Sequence, residues 1–229
     1  MAVSIDTVYQ RVLALANKEQ RGYITPQEFN LLANQAQMEI FEEYFYDQNQ
    51  ADRNLKNSTE FSNVDEMLDE KISHLKKTTS ISIVNQNGTL PDDLYRLGMV
   101  YKKNGGPEVE QVTEEEQLYL ERSLLTKATD LYPYFIRTKS NGIKVFPSSL
   151  GAVNINYISR PQEPKWGYVV VNEKALYNAT TSVDFKIHRS EEAQLVYRIL
   201  ALAGIAIVKP GLATYADGQT MNTKTQEKQ

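Results

Sequence analysis

Cysteine is absent from this sequence of 229 residues, and histidine occurs only twice, as His74 and His188. The lack of cysteine excludes disulfide bonds, thiolate catalysis and zinc sites with cysteine ligands. Neither histidine lies in a motif with a nucleophilic serine. We interpret both as structural residues, His74 at the end of a helix and His188 at a junction between a strand and a helix. We predict no catalytic, cofactor-binding or metal-binding residues and no cofactor.

Long apolar runs and an excess of positive charge are missing as well. The longest apolar stretch, Ile199–Val208, is far shorter than the ~20 residues of a membrane helix. The N-terminus lacks the basic and then apolar pattern of a signal peptide. The formal net charge of −4 excludes a globally basic nucleic-acid-binding protein. We expect a soluble protein made in a reducing cytoplasm.

The composition, with 41% hydrophobic and 24% charged residues, is that of a globular protein. Two capping boxes predict helix starts: Thr25–Glu28 opens a helix that reaches about Tyr46, and Thr113–Glu116 opens a shorter one to about Leu124. Apolar residues at helical spacing predict three more helices, at residues 5–16, 63–77 and 191–207. The last of these is apolar over most of its circumference, which is typical of a helix inside a bundle or an interface.

Residues 78–188 contain the short alternating segments that are typical of strands. Strands are predicted at residues 80–83, 98–103, 134–138, 143–146, 153–157, 169–171 and 183–187, with turns at 87–88 and 104–107 and a loop at 47–63. The expected fold is α+β. Its parts are an N-terminal helical part (1–77) and a C-terminal helix (189–208) that form one bundle, a β-rich insertion (78–188) and an extended tail (209–229).

Aromatic residues indicate an interface. The chain has 14 tyrosines and one tryptophan. Phe41, Tyr44, Phe45 and Tyr46 crowd the predicted end of the second helix, in a larger number than one apolar stripe can bury. Together with the apolar last helix, they predict more buried surface than a monomer supplies, and therefore a homo-oligomer. A large core with tyrosines at its edges is the alternative interpretation.

The C-terminal tail is polar and has only three apolar anchors, Leu212, Tyr215 and Met221. So little apolar surface cannot offset an ordering entropy of ~1–2 kcal/mol per residue for the backbone. We therefore predict that the tail folds on a partner and that these three side chains bind that partner.

Three stretches of the sequence resemble structural proteins of tailed-bacteriophage virions. They are GYITPQEFN followed by NQAQ (residues 22–30 and 34–37), GTLPDDLYR (88–96), and DFKIH with SEE, LVYRIL and AGI (within 184–205). These stretches resemble the head-to-tail connector, or neck ring, proteins of podovirus-like phages, including the crAss-like group. They consist of apolar and turn signatures and contain no catalytic motif.

The resemblance implies an adaptor that assembles as a ring, commonly of twelve copies, below the portal protein. Such a ring continues the DNA channel, lets genomic DNA pass without specific binding and contacts other neck or tail proteins. The expected location is the neck of the virion, after assembly in the host cytoplasm. The resemblance also implies that residues 209–229 reach the portal or a neighbouring subunit. The proline-interrupted segment 160–168 departs from the compact adaptor pattern.

Two other functions stay open. A virion-associated hydrolase of cell-wall glycan needs two carboxylates at a set separation in a cleft, and carboxylates are plentiful here although no motif places them. A binding module of the tail or baseplate is the other alternative.

Overall fold

The computed structural model describes residues 3–17, 24–53, 62–103, 105–138, 141–206, 218, 219 and 221. The fold is α+β, as the sequence predicts. The chain divides into a helical unit, which comprises residues up to His74 and from Pro161 onwards, and a β-rich unit, Leu75–Arg160. Among the helices in the described ranges, none has both the length and the apolar character of a membrane span.

The described ranges contain five α-helices: α1 (Ile5–Asn17), α2 (Pro26–Arg53), α3 (Ser62–Ser73), α4 (Glu114–Arg122) and α5 (Glu192–Ala206). The predicted capping box opens α2, where the Glu28 amide donates to Thr25 Oγ1 over 3.3 Å and the Thr25 amide donates to Glu28 Oε2 over 2.9 Å. The helix ends later than predicted, so the expected loop at 47–63 is wrong at its start. The residues from Asp47 to Arg53 form no apolar stripe from which a helix could be predicted. They also include no glycine or proline, so nothing stops the helix from continuing through them.

Helix α5 packs against α1 and α2 and forms the centre of the helical unit. Helical periodicity places Leu195, Ile199 and Leu202 on one apolar face, and of these Leu195 and Ile199 are fully buried and Leu202 is half-buried. The neighbouring face of α5 is also covered, since Val196 and Leu200 are buried. The apolar circumference of α5 is therefore satisfied within one chain and is not an argument for an oligomer.

The crowded aromatic residues of α2 are covered in the same way. Phe41, Tyr44 and Phe45 are buried, and only Tyr46 is exposed. The expectation that one chain could not bury this set is therefore wrong for three of the four. The reason is that α2 contacts both α3 and α5, so more than one of its faces is covered.

The β-rich unit consists of two sheets that enclose one core. Its strands are β1 (Lys76–Ser82), β2 (Asn87–Thr89), β3 (Leu94–Lys102), β4 (Glu110–Gln111), β5 (Tyr134–Thr138), β6 (Gly142–Phe146) and β7 (Ala152–Ser159). One sheet has the order β1-β7-β3 and the other β2-β6-β5-β4. Ile81, Val153 and Ile155 from the first sheet meet Phe135 and Ile143 from the second in this core.

The outer face of the four-stranded sheet is covered by α4 and the loop that follows it. Tyr134, Ile136 and Phe146 form a second apolar cluster there, against which Leu120 and Ala128 pack. The capping box predicted at Thr113–Glu116 is confirmed as the start of α4. The predicted hairpin of β5 and β6 is present with an antiparallel register.

Two local predictions are wrong. Asn87 and Gly88 lie in β2, and the turn occurs at Asn85 and Gln86, where φ is 49° and 68°. Gly88 packs closely, because a Cβ atom there would lie 2.6 Å from Cδ1 of Ile83 and would require that side chain to shift. Residues 183–187 form only isolated bridges, such as Val3 with Phe185, and no strand.

The boundary of the β-rich part also differs from the expected 78–188. Residues 161–188 belong with the helices, because Trp166 contacts Tyr9 and Gln37 bonds to the backbone of Gln162 and Lys186. Two further strands, β8 (Tyr168–Val171) and β9 (Lys174–Tyr177), lie in this segment and form a separate two-stranded sheet. The tail, residues 209–229, lies outside the described residues except for 218, 219 and 221.

Candidate functional site

Exposed apolar side chains are concentrated in two segments of the described chain. Eleven of the seventeen large apolar side chains that are exposed lie in residues 118–132 and 168–177. We call residues 114–132 the α4 surface and residues 168–177 the hairpin arm. Exposed apolar side chains that cluster in this way are typical of protein interaction sites, whereas single ones are ordinary.

The α4 surface exposes six large side chains on one side of the β-rich unit. Leu124 and Leu125 are each 97% exposed, and Leu118, Tyr119, Leu131 and Tyr132 are each more than half exposed. Leu120, by contrast, packs on the sheet. Since neighbouring helical residues point in different directions, Leu118 and Tyr119 are directed into solvent.

Hydrogen bonds hold the loop of the α4 surface in place. The Thr126 hydroxyl donates to the Leu120 carbonyl over 3.0 Å, and the Lys127 amide donates to the Ser123 carbonyl over 3.1 Å. The Ser149 hydroxyl donates to Asp130 over 2.6 Å. The loop that carries Leu124 and Leu125 is thus built to present them.

The α4 surface is acidic as well as apolar. Exposed glutamates lie in it or just before it, at 108, 110, 114, 115, 116 and 121, and they outnumber its two exposed cations, Arg122 and Lys127. Hydrogen bonds from the Thr113 amide and hydroxyl lower the pKa of Glu116. A groove of about 560 Å³ beside α4 is lined by both kinds of residue, including Glu110, Glu116, Tyr119 and Leu120. A complementary partner is therefore apolar and not itself acidic.

The hairpin arm is formed by β8 and β9. The strands pair from Tyr168 with Tyr177 to Val171 with Lys174. Asn172 and Glu173 connect them with φ values of 50° and 62°, which is the two-residue turn that matches the twist of a hairpin. Because side chains alternate along a strand, residues 169, 171, 174 and 176 share one face. The apolar residues of that face, Val169, Val171 and Leu176, are about half exposed.

A buried tryptophan fixes the base of the hairpin arm. The Trp166 ring lies 4.4 Å from the Tyr9 ring and 5.9 Å from the Tyr168 ring, measured between centroids. Its Nε1 donates to Asp6 over 3.0 Å, and its backbone amide donates to Asn30 over 2.7 Å. The proline-interrupted segment that departs from the adaptor pattern is thus fastened to α1 and α2, and it supports the arm.

An isolated two-stranded sheet is marginally stable in water unless another element covers it. Here the base of the arm is covered by Trp166, while Val170 and Val171 remain exposed. The strand β8 carries no charged side chain that would protect its edge from pairing. The arm therefore has the properties of a surface that a partner covers.

His188 caps the short 3₁₀ turn that precedes α5. His188 Nδ1 accepts from the Ser190 amide over 3.3 Å and lies 2.8 Å from Ser190 Oγ, at the start of a short 3₁₀ turn. Asp184 instead accepts from the Ile5 amide over 3.0 Å, at the start of α1. His188 and Ser190 thus belong to the same cap, and the Asp184 carboxylate binds a backbone amide at the start of α1 instead.

The other histidine follows the end of α3. Nε2 of His74 lies 3.0 Å from the Lys186 carbonyl, to which the neutral imidazole donates. Partial removal of the ring from water lowers the pKa of His74, and the nearby His188 contributes to this. The sequence predicts that the helix dipole favours a charged His74, but desolvation outweighs that effect here.

The lowered pKa of His74 predicts a pH-dependent stability. In the unfolded chain the histidine takes up a proton near its ordinary pKa of 6.5, whereas the folded protein takes it up only at lower pH. Stability is therefore complete above the ordinary value and decreases as the pH falls through it. Urea unfolding between about pH 7.5 and 5 should show a shallower decrease for His74→Gln than for the wild type. Equal slopes for the two proteins would contradict this assignment.

The described part of the chain contains no group of three or more side chains suited to hold a metal ion. The carboxyl groups of Glu28, Asp93 and Glu116 have lowered pKa values because they accept hydrogen bonds, for Asp93 mainly from Lys77. A general acid of a glycan hydrolase needs a raised pKa, so these three do not fit that role.

The predicted tail anchors are only partly visible. Leu212 and Tyr215 lie outside the described residues, and Met221 is 73% exposed. Sequence reasoning missed both the α4 surface and the hairpin arm. A usable signal was present at Leu124 and Leu125, which lie at and just beyond the predicted end of the α4 helix and outside any alternating strand pattern.

Comparison with known proteins does not assign this chain to a family. No protein-family model matches this chain, and no curated protein matches it at a significant level. The functional interpretation depends on the surfaces described above and on the resemblance of the three sequence stretches.

Proposed function

We propose that this protein is a structural component of a bacteriophage neck and forms a homomeric ring that joins the portal to the tail. The observation that carries the proposal is the presence of two separate exposed apolar surfaces, the α4 surface and the hairpin arm. Two different surfaces allow one copy to contact two neighbours, which a closed ring requires. The sequence resemblance supplies the kind of assembly, its usual twelve copies and its place below the portal.

The role proposed here is mechanical and not enzymatic. Two side chains of types that often act in catalysis have structural partners here: His188 caps a turn and Asp184 caps α1. A ring at this position continues the DNA channel. The negative net charge suits that task, because each phosphate that a basic channel neutralised would hold the DNA more tightly.

A binding module of the tail or baseplate is the second candidate, because exposed apolar surfaces also suit a protein that binds a partner as a single copy. The assembly state distinguishes the two. Mass photometry of the purified protein, with and without portal protein, should show a ring, and the ring should bind the portal. A protein that stays monomeric under both conditions would contradict the ring. A monomer that also degrades cell-wall glycan would support the hydrolase.

The tail gives a second test of this function. Deletion of residues 210–229 should leave the fold intact and weaken binding to the portal, because Leu212, Tyr215 and Met221 are its only apolar anchors. Replacement of these three by serine should reproduce the loss, whereas replacement of the threonines at 214, 220 and 223 by serine is the matched control. Hydrogen exchange should show protection of the tail in the assembled particle only. Protection in the free monomer would contradict the prediction.

A further inference from the structure

We infer that the hairpin arm of one copy binds the α4 surface of the next copy. This inference rests on the proposed ring and identifies the two surfaces that form its repeated contact. The contact is head-to-tail, because each copy contributes a different surface to each of its neighbours. Such contacts generate rings when the rotation between copies closes.

The apolar content of the two surfaces matches this contact. The α4 surface presents four leucines and two tyrosines, and the arm presents Val169, Val171 and Leu176 on one face. Large side chains that bury roughly 100–200 Å² each bring the α4 surface to the order of the ~800 Å² per partner of a standard interface. Leu124 and Leu125 of the α4 surface are 97% exposed, and Val169, Val171 and Leu176 of the arm are about half exposed.

The arm adds no net negative charge to the acidic α4 surface. The α4 surface and the segment before it carry six exposed glutamates, whereas β8 carries no charge and β9 begins with the exposed Lys174. Glu173, at the tip of the turn, is the one carboxylate of the arm. Another exposed aromatic residue, Tyr46, lines a groove with three glutamates and Arg198, and the net negative charge of that surface would repel the α4 glutamates. The arm is thus the better counterpart.

Pairing of two hairpin arms would explain less. A contact of the same surface on both copies is symmetric and ends at a dimer. It would leave the leucines of the α4 surface in water, and it would bring no lysine near the glutamates of that surface. A head-to-tail contact covers both surfaces and can continue to a third copy.

The lack of cysteine allows a direct test. We would introduce Val171→Cys in the arm of one preparation and Leu124→Cys in the α4 surface of another, and then mix the two. A short bismaleimide should join them into a covalent heterodimer. Mixtures in which Ser82→Cys, an exposed residue of β1, replaces either partner are the matched controls and should give at least ten-fold less product. A chain with both Val171→Cys and Leu124→Cys should give a ladder of covalent oligomers.

Association without a cross-linker gives a second measurement. Val171→Asp and Leu125→Asp should each abolish assembly when alone. Mixed together, they should form one-to-one dimers and nothing larger, because one copy keeps an intact α4 surface and the other an intact arm.

The outcomes separate this inference from the proposed ring. If the wild type forms rings and the arm and α4 cysteines cross-link no better than the Ser82→Cys controls, the inference is wrong and the ring stands. Dominant products that join two Val171→Cys chains would likewise overturn it in favour of a symmetric contact. A wild type that stays monomeric with and without portal, and shows no cross-linking, overturns both.

Discussion

Replacement of Lys71 by alanine should lower the free energy of unfolding by about 3–5 kcal/mol. Lys71 Nζ lies 2.6 Å from Glu191 Oε1, and the two side chains are only 7% and 3% exposed. The pair joins α3 to the short turn that precedes α5. Loss of the ammonium group leaves a buried carboxylate without its counter-charge, and a buried charge without a partner is much more costly than the absence of both.

The double variant Lys71→Met with Glu191→Leu is the control for this prediction. It removes both charges and fills the space with apolar atoms, which is often neutral for stability. Urea unfolding at pH 7 should therefore show a large loss for Lys71→Ala and recovery of most of that loss in the double variant. A loss below ~1 kcal/mol for the single variant would mean that water reaches the carboxylate, and that the pair is not buried.

Replacement of Ile199 by alanine should lower the free energy of unfolding by roughly 2–5 kcal/mol. Ile199 is fully buried in α5, the helix that packs on both α1 and α2. Removal of its side chain loses apolar burial and leaves a cavity among three helices that cannot collapse freely. The helical unit, which carries the hairpin arm, should lose stability as a whole.

Leu202→Ala is the matched control, because Leu202 lies on the same helix and is half-buried. Its effect should be clearly smaller, although both substitutions remove aliphatic carbon from α5. Denaturant unfolding of the three proteins gives the comparison. An effect of Ile199→Ala below ~0.5 kcal/mol would place that side chain in solvent and contradict the packing of α5.

The two stability predictions help to interpret the assembly experiments. They change the interior of the helical unit, whereas the cysteine and aspartate variants change exposed residues such as Val171 and Leu124. Surface substitutions away from buried features usually alter stability very little. Loss of assembly in the surface variants with normal unfolding would therefore report on the contact between copies and not on the fold.

Local signals in the sequence determined where several elements begin. Thr25 and Thr113 predict helix starts because a capping box is formed by a side chain and a backbone amide only three residues apart. The hairpin of β5 and β6 was predictable for the same reason, since alternation and turn residues act between near neighbours in the chain. The buried positions Leu195 and Ile199 followed from helical periodicity.

Only the tertiary structure decided which apolar residues are covered and which charges are paired. Trp166 supports the hairpin arm through Asp6, which is 160 positions away, and Lys71 pairs with Glu191 across a similar distance in sequence. A helical or alternating pattern shows that a residue is apolar, but the element that packs against it is set by contacts between distant segments. For that reason Leu124 stays in water while Leu195, Ile199 and Leu200 of α5 are buried.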